Sequence, residues 1–341
     1  MGPDEVEALF RSPLRKVSGI VVGSADPQKE TVVGLGTLSS EPSPDSLRWE
    51  IGSITKVFTG LLLADMVCRG EVSLDDPLGA YLSGSVEVSL PDEAFQPTLG
   101  DLSSHVSGLP GIPKEWYGRL RRNEDPYASI VAEDMYSALG PESVRPGKPR
   151  FRYSNFGVGL LGLLLGNAVG RHYEDLVSER LLRPFGMADT GFGSLGVVQG
   201  YRRNKPTPPW TFDAMAPAGA IRSTASDMLK FASAVIEPPS RLGEALALAS
   251  ERRFEIKSGR AYAGLGWQLR ARQVAGDGWN LWHNGGTYGT ASFLAINRGL
   301  RIAVVSFGNR GPGLFGSPLD RSSWKLFDAM ADAWPAHHGH V

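Results

Sequence analysis

Leu47-Arg48-Trp49-Glu50-Ile51-Gly52-Ser53-Ile54-Thr55-Lys56 leads into the apolar stretch Val57 to Cys68. A serine hydroxyl is a weak nucleophile at neutral pH and needs a base within hydrogen-bond reach. On a helix, residues i and i+3 share a face, so Lys56 is expected beside Ser53. A helix start also offers free backbone N–H groups and a positive dipole end, which suit a developing oxyanion. The alternative is a plain helix cap at Ser53 with a solvated Lys56 in the first turn. The same spacing recurs in Ser322-Ser323-Trp324-Lys325, read as the exposed start of a C-terminal helix. The four-residue pattern alone therefore leaves both readings open.

The chain has 341 residues, 42% hydrophobic and 21% charged, which suits one large domain or two closely joined ones. A net charge of −1 gives no electrostatic reason to expect nucleic acid or a membrane as partner. The short basic cluster Arg119, Arg121, Arg122 is followed by Glu124 and Asp125 and reads as a solvated helix face. Cys68 is the single cysteine, lies in an apolar run and is expected to pack in the core. The start Met1-Gly2-Pro3-Asp4-Glu5 lacks the basic and apolar regions of a signal peptide. The longest apolar segment, Gly157 to Gly170, is shorter than the roughly 20 residues of a spanning helix. A cytoplasmic location is expected.

Outward from Ser53, the chain falls into three parts. Val17–Val22 and Thr31–Thr37 read as a β-hairpin, after a helical stretch Pro3–Ser12. Ser53 to Arg69 reads as a mostly buried helix stopped by Gly70. Helical segments are expected at Tyr127–Leu139, Phe156–Val169, Tyr173–Leu182 and Ser226–Ile236, among Pro- and Gly-rich loops. Strands return at Tyr262–Ala271, Trp279–His283, Thr290–Ile296 and Ile302–Phe307, before a helix over Ser322–Ala333. The expected fold is α/β of the α+β type. Residues 1–70 and 240–341 form a discontinuous α/β domain, residues 71–239 an inserted, mostly helical one, and the site lies in the cleft between them.

Gly157-Val158-Gly159-Leu160-Leu161-Gly162 matches G-x-G-x-x-G, but its glycines sit in a helical apolar pattern, so close helix packing is the reading. No zinc, Walker or paired-cysteine motif occurs, and no metal or other cofactor is expected. The tail His337-His338-Gly339-His340 is read as a disordered terminus.

Two further segments suit the chemistry of Ser53. Tyr153-Ser154-Asn155 follows the loop Arg145-Pro146-Gly147-Lys148-Pro149. A phenol beside a lysine ammonium is expected to have a lowered pKa, so that Tyr153 takes the Ser53 proton and returns it to the leaving group. Asn155 would orient Lys56 and bind a substrate amide oxygen. His283-Asn284-Gly285-Gly286-Thr287 follows the strand-like Trp279–Trp282, and its glycines would let substrate approach the backbone. Read without chemistry, these are a buried tyrosine, a turn asparagine and a hairpin turn.

Ser53-x-x-Lys56, Tyr153-x-Asn155 and His283-Asn284-Gly285 resemble, in order and separation, the motifs of the class C β-lactamase-like serine hydrolases. That family resembles penicillin-binding proteins and includes β-lactamases, D,D-peptidases, amidases, esterases and transacylases. Leu102-Ser103-Ser104-His105-Val106-Ser107-Gly108-Leu109-Pro110 is similar to its L-L-x-H-T-S-G-L loop. Arg48-Trp49-Glu50-Ile51-Gly52 leads into the serine as it does in that family. Leu181-Leu182-Arg183-Pro184-Phe185-Gly186-Met187-Ala188-Asp189-Thr190 and Pro217-Ala218-Gly219-Ala220-Ile221-Arg222-Ser223-Thr224-Ala225-Ser226-Asp227 are similar to its P-L-G-M-x-x-T and G-G-L-x-S-T-A-x-D elements. The similarity runs from Ile20 to Asp328. It implies an antiparallel sheet flanked by helices, with a helical domain across the cleft. It also implies an acyl-enzyme on Ser53, acid–base work by Lys56 and Tyr153, positioning by Asn155, and an oxyanion hole of the Ser53 and Gly286 N–H groups. His105 and Ser107 are weighted as structural.

The chain departs from the family's β-lactamases at His283, which stands where they carry the lysine of K-T-G. A histidine of ordinary pKa, about 6.5, is mostly neutral at pH 7 and binds a carboxylate less well. Hydrolysis of a small ester or amide is the leading expectation. Transfer of the acyl group to an amine or alcohol is the alternative, with Trp116, Tyr117, Trp210, Phe212 and Tyr288 as candidates for the acceptor side. A true β-lactamase, a D,D-peptidase or a catalytically silent ligand-binding relative ranks lower.

Overall fold

The computed structural model describes residues 1–38, 41–82, 96–122, 125–140, 149–271, 279–313, 316–317 and 319–333. Most of the 145–149 loop and the 337–340 tail lie outside these residues. Both ends of the chain build one antiparallel sheet. From the N-terminal part come β1 (Gly19–Ala25) and β2 (Glu30–Gly36). Outside this sheet, β3 (Trp49–Glu50) pairs with β6 (Arg222–Ser223) and β4 (Gly200–Arg202) with β5 (Lys205–Thr207). Phe254–Lys257, Ala261–Ala263, Gln268–Ala271, Trp279–Gly286, Ala291–Asn297 and Ile302–Gly308 supply β7 to β12 of the main sheet. The spatial order is β2-β1-β12-β11-β10-β9-β8-β7. The expected run Tyr262–Ala271 is two strands, broken at residues 264–267, where Gly266 has φ 70° and abuts the Lys56 carbonyl.

Local chemistry explains the hairpins. Between β1 and β2, Asp26 Oδ1 accepts the N–H groups of Gln28 and Lys29 at 2.9 and 3.1 Å, an Asx turn. Between β11 and β12, Asn297 Oδ1 accepts Leu300 N–H at 2.8 Å. Alternation then sorts the side chains by face. Val21, Leu281, Leu294, Val305 and Phe307 join the larger core. Ile20, Val22, Phe293, Ala295 and Val304 join the smaller one, beneath α1 (Pro3–Leu14) and α11 (Asp320–Ala333). Every residue of β11 and β12 is buried, as a sheet covered on both faces requires.

On the larger face lie α2 (Thr55–Cys68), α6 (Asn155–Val169) and α9 (Ala225–Ile236). The α2 helix is apolar all round and buried from Thr55 to Met66, and Gly70 at φ 70° follows its end. Cys68 is exposed, contrary to expectation: it sits in the last, uncovered turn of α2, beyond the buried stretch. A second correction concerns Ser322 and Ser323, which are buried, because α11 starts at Asp320 and turns that face onto the sheet. Ser323 Oγ lies 2.7 Å from Ser306 Oγ, so this copy of the spacing is structural.

In α6, a Cβ at Gly162 would meet Pro217 Cγ at 2.0 Å and one at Gly159 would meet Met215 Sδ at 2.9 Å. The glycines thus let α6 press on α8 (Ala216–Gly219), the short helix that also borders Lys56. The family-like stretches at 184–190 and 219–227 meet at Asp227, whose Oδ2 accepts Asp189 N–H and Thr190 Oγ–H, each at 2.8 Å. The expected helix at Tyr127–Leu139 is confined to α5 (Ala132–Ser137), which follows α4 (Tyr117–Arg122). That at Tyr173–Leu182 is α7 (Tyr173–Val177) continued by a π-helical turn, and α10 (Gly243–Ala249) packs on α2. No helix among the described residues is long and apolar enough to cross a membrane.

Candidate active site

Ser53 sits in a single 3-10 turn, Gly52–Ile54, that runs straight into α2. Lys56, one turn on, is fully buried, and its Nζ lies 3.0 Å from Ser53 Oγ. Its other partner is the carbonyl oxygen of Ala218 at 2.6 Å. Burial pushes the Lys56 ammonium down to about 7. The reason is desolvation: among the described residues no carboxylate pairs with it to favour the charged form.

The Ala218 carbonyl is itself pinned to α2. Thr59 Oγ donates to Pro217 O at 2.7 Å, and Ile221 N–H donates to Thr55 Oγ at 3.1 Å. This corrects the expected role of Asn155 toward Lys56. Asn155 Nδ2 instead donates to the Tyr127 hydroxyl at 3.3 Å, and its buried Oδ1 has no hydrogen-bond partner among the described residues.

Tyr153 precedes α6 and hydrogen-bonds Ser53, with Lys56 Nζ 5.1 Å from its ring centre. The expectation of a lowered phenol pKa is reversed. Burial pushes Tyr153 above its ordinary value, and the Ser53 hydrogen bond offsets only part of that. The neighbouring Tyr127 phenol adds to the rise.

His283 lies in β10 with its side chain buried, on the face opposite Asn284. Asn284 Nδ2 donates to Asp320 at the start of α11, while His283 Nδ1 lies 2.5 Å from the Asn284 carbonyl. Burial, with Lys56 nearby, holds the imidazole down at about 3, so it is neutral. Its ring centre is 6.0 Å from that of Tyr153.

The end of β10 is pressed against the turn that carries Ser53. A Cβ at Gly52, whose φ is 50°, would lie 2.6 Å from Gly286 N. One at Gly285 would lie 2.0 Å from Ile51 O and 3.0 Å from Ser53 N. Only glycine permits this approach, which brings the Gly285–Gly286 main chain against the Gly52–Ser53 turn. Glu50 braces the same region from beneath. It accepts Trp210 N–H at 2.8 Å and the hydroxyls of Thr287 and Thr290 at 2.8 and 3.3 Å. Burial raises its carboxyl, against those bonds and the charge of Arg222.

Trp210, Phe212 and Tyr288 form one aromatic wall with Tyr127, with ring centres 4.8 to 6.1 Å apart. Trp116 is packed on Phe156 instead, and Tyr117 is exposed. Tyr127, Glu50 and Ala218 were not singled out in the sequence. Glu50 lay in the stretch Arg48–Gly52 and Ala218 in Pro217–Asp227, both part of the resemblance without an assigned role, and Tyr127 only in an expected helix.

A family model described as Beta-lactamase matches residues 6–326. The chain belongs to the β-lactamase family of serine hydrolases. The Escherichia coli K12 protein named Beta-lactamase is 27% identical over 241 residues, 67% of this chain and 59% of that protein. The chain thus spans about three fifths of that relative's length. Penicillin-binding protein 4 of Amycolatopsis lactamdurans is 24% identical over 296 residues, 77% of this chain and 72% of that protein. A class C β-lactamase structure from Rhodobacter sphaeroides superposes with a TM-score of 0.78 at 23% identity, over 96% of this chain and 99% of that one. At that identity the superposition shows a shared fold, the mixed α/β architecture with its large antiparallel sheet.

Proposed function

We propose that this member of the family is a serine acyl-transfer enzyme that forms an acyl-enzyme on Ser53 and releases it to water, hydrolysing a small, neutral ester or amide. The observation that carries the reading is Lys56: fully buried, lowered to about 7, and 3.0 Å from the Ser53 oxygen. Neutral Lys56 accepts the Ser53 proton as the oxygen bonds to the substrate carbonyl carbon. With one N–H donated to Ala218, the neutral amine keeps a lone pair that can accept the Ser53 proton across the 3.0 Å between Nζ and Oγ. The Ser53 and Gly286 N–H groups take the oxyanion. Tyr153, which keeps its proton, donates it to the leaving group and recovers one from the Lys56 side. Water then attacks the acyl carbon by the reverse proton path and frees Ser53.

Neutral His283 supports a substrate without a carboxylate at that position, and slow β-lactam turnover. The partners proposed are a small acyl donor and water, with no cofactor. A second reading, transfer to an amine or alcohol, is favoured by the aromatic wall of Tyr127, Trp210, Phe212 and Tyr288, which would seat an apolar acceptor.

The test is intact-protein mass spectrometry with a fluorophosphonate, then product analysis after incubation with a small ester and a panel of amines. A Ser53 adduct with free acid as product supports hydrolysis. Amide product supports transfer. No adduct, alongside a labelled control hydrolase, would sink the acyl-enzyme reading.

A further inference from the structure

Tyr153 lies in the stretch 149–154, which is neither helix nor strand, so no regular ladder sets its orientation. The constraint comes from His105, beyond the end of α3 (Leu99–Ser103). His105 is buried and holds φ 62°, a left-handed conformation that non-glycine residues adopt at a cost. From there it grips the chain on both sides of Tyr153. Its carbonyl oxygen accepts Arg152 N–H at 2.7 Å. Its Nδ1 accepts Ser154 N–H at 3.2 Å. Its ring lies against the Tyr153 ring, centres 4.4 Å apart at 39°, and meets Phe151 edge-on at 5.7 Å.

This grip needs a neutral imidazole, because a protonated Nδ1 has no lone pair to accept Ser154 N–H. Burial first, then Lys56 and His283, hold His105 well below its ordinary value. The proton therefore sits on Nε2, and the strained backbone at residue 105 serves to aim both acceptors at residues 152 and 154.

We propose that His105 is a positioning residue for the reaction: it clamps the main chain on either side of Tyr153 and so holds the phenol at Ser53. The inference rests on the acyl-transfer reading, in which Tyr153 relays a proton. A displaced phenol loses its relay geometry while Ser53, Lys56 and the oxyanion amides stay in place.

The experiment is a double-mutant cycle on the full chain, with p-nitrophenyl acetate as substrate: His105→Ala, Tyr153→Phe and both together. Removing the clamp is expected to lower kcat about 10- to 100-fold, the scale of a misplacement near 1 Å, with little change in KM. In the Tyr153→Phe background, where no phenol hydroxyl remains to be placed, the further loss should be under about threefold. His105→Asn tolerates a positive φ and presents Oδ1 near the position of Nδ1, so it should recover most of the activity. If His105→Ala does not fold, the Asn variant is compared with His105→Phe, which keeps a ring but no acceptor; Phe active and Asn not would overturn the hydrogen-bond clamp. Equal losses in both backgrounds would show a merely structural histidine and end the proposal while leaving the Ser53 reading intact. A silent Tyr153→Phe would remove the relay and this proposal together.

Discussion

The Nζ of Lys56 lies 2.6 Å from the main-chain carbonyl oxygen of Ala218, a residue 162 positions away. That contact satisfies one N–H of a buried amine and leaves the nitrogen facing Ser53. The amine has lost its water and has no counter-ion among the described residues, so its proton is loosely held.

Activity should therefore follow the neutral form of Lys56. The kcat/KM for a neutral ester is expected to fall as pH drops through about 7, tenfold per unit well below it. A profile flat from pH 5 to 8 would remove Lys56 as the base. Lys56→Ala should cost on the order of 10²–10⁴ in rate, and Ser53→Ala should abolish acylation.

The same burial makes Lys56 a cost to folding. Its folded pKa is depressed, so the penalty is complete below about pH 7 and shrinks as pH rises toward the unfolded value, about 10.4. Lys56→Met should raise stability near pH 6 by about 1–4 kcal/mol while removing activity. Denaturant unfolding at pH 6 and pH 9 checks this, with the larger gain expected at pH 6.

Tyr153→Phe should lower the rate by about 10²–10⁴. Because the phenol is raised rather than lowered, wild-type activity should not require its ionisation. Loss of activity at pH 6 to 8 in step with phenol protonation, followed by ultraviolet difference spectra, would contradict the relay role.

At His283 the expectation is a change in selectivity. Neutral histidine offers no charge, whereas lysine there restores one if it stays protonated. His283→Lys should improve kcat/KM for carboxylate-bearing acyl donors relative to neutral ones. An unchanged ratio would defeat the charge argument.

Gly285→Ala should pry β10 from the Ser53 turn, because its Cβ would lie 2.0 Å from the Ile51 carbonyl oxygen. The expected loss is about 10²–10³ in kcat, as for one oxyanion donor. Burst kinetics with an activated ester reads it, and near-normal acylation would place the oxyanion elsewhere.

Much of the architecture was legible along the chain, because hairpin turns, alternation and the glycine stop at Gly70 act over a few residues. So was the neighbourly spacing of Ser53 and Lys56, which follows from helix geometry. Cys68 misled because an apolar run does not say which of its turns will be covered. Asn155 misled because its proximity to Tyr153 in sequence says nothing of Tyr127, 28 residues earlier, to which it is bonded.

Local residue order thus specified the strands, the serine helix and the set of candidate side chains. Folding set their reactivity. Burial is contributed by segments remote in the chain, and it reversed the expected Tyr153 shift, lowered Lys56 and neutralised His283. The approach of Gly285 to Ser53 and of Ala218 to Lys56 likewise joins residues that sequence keeps far apart. Proton affinity depends on the water and dipoles around a group, and those exist only once the distant segments have packed.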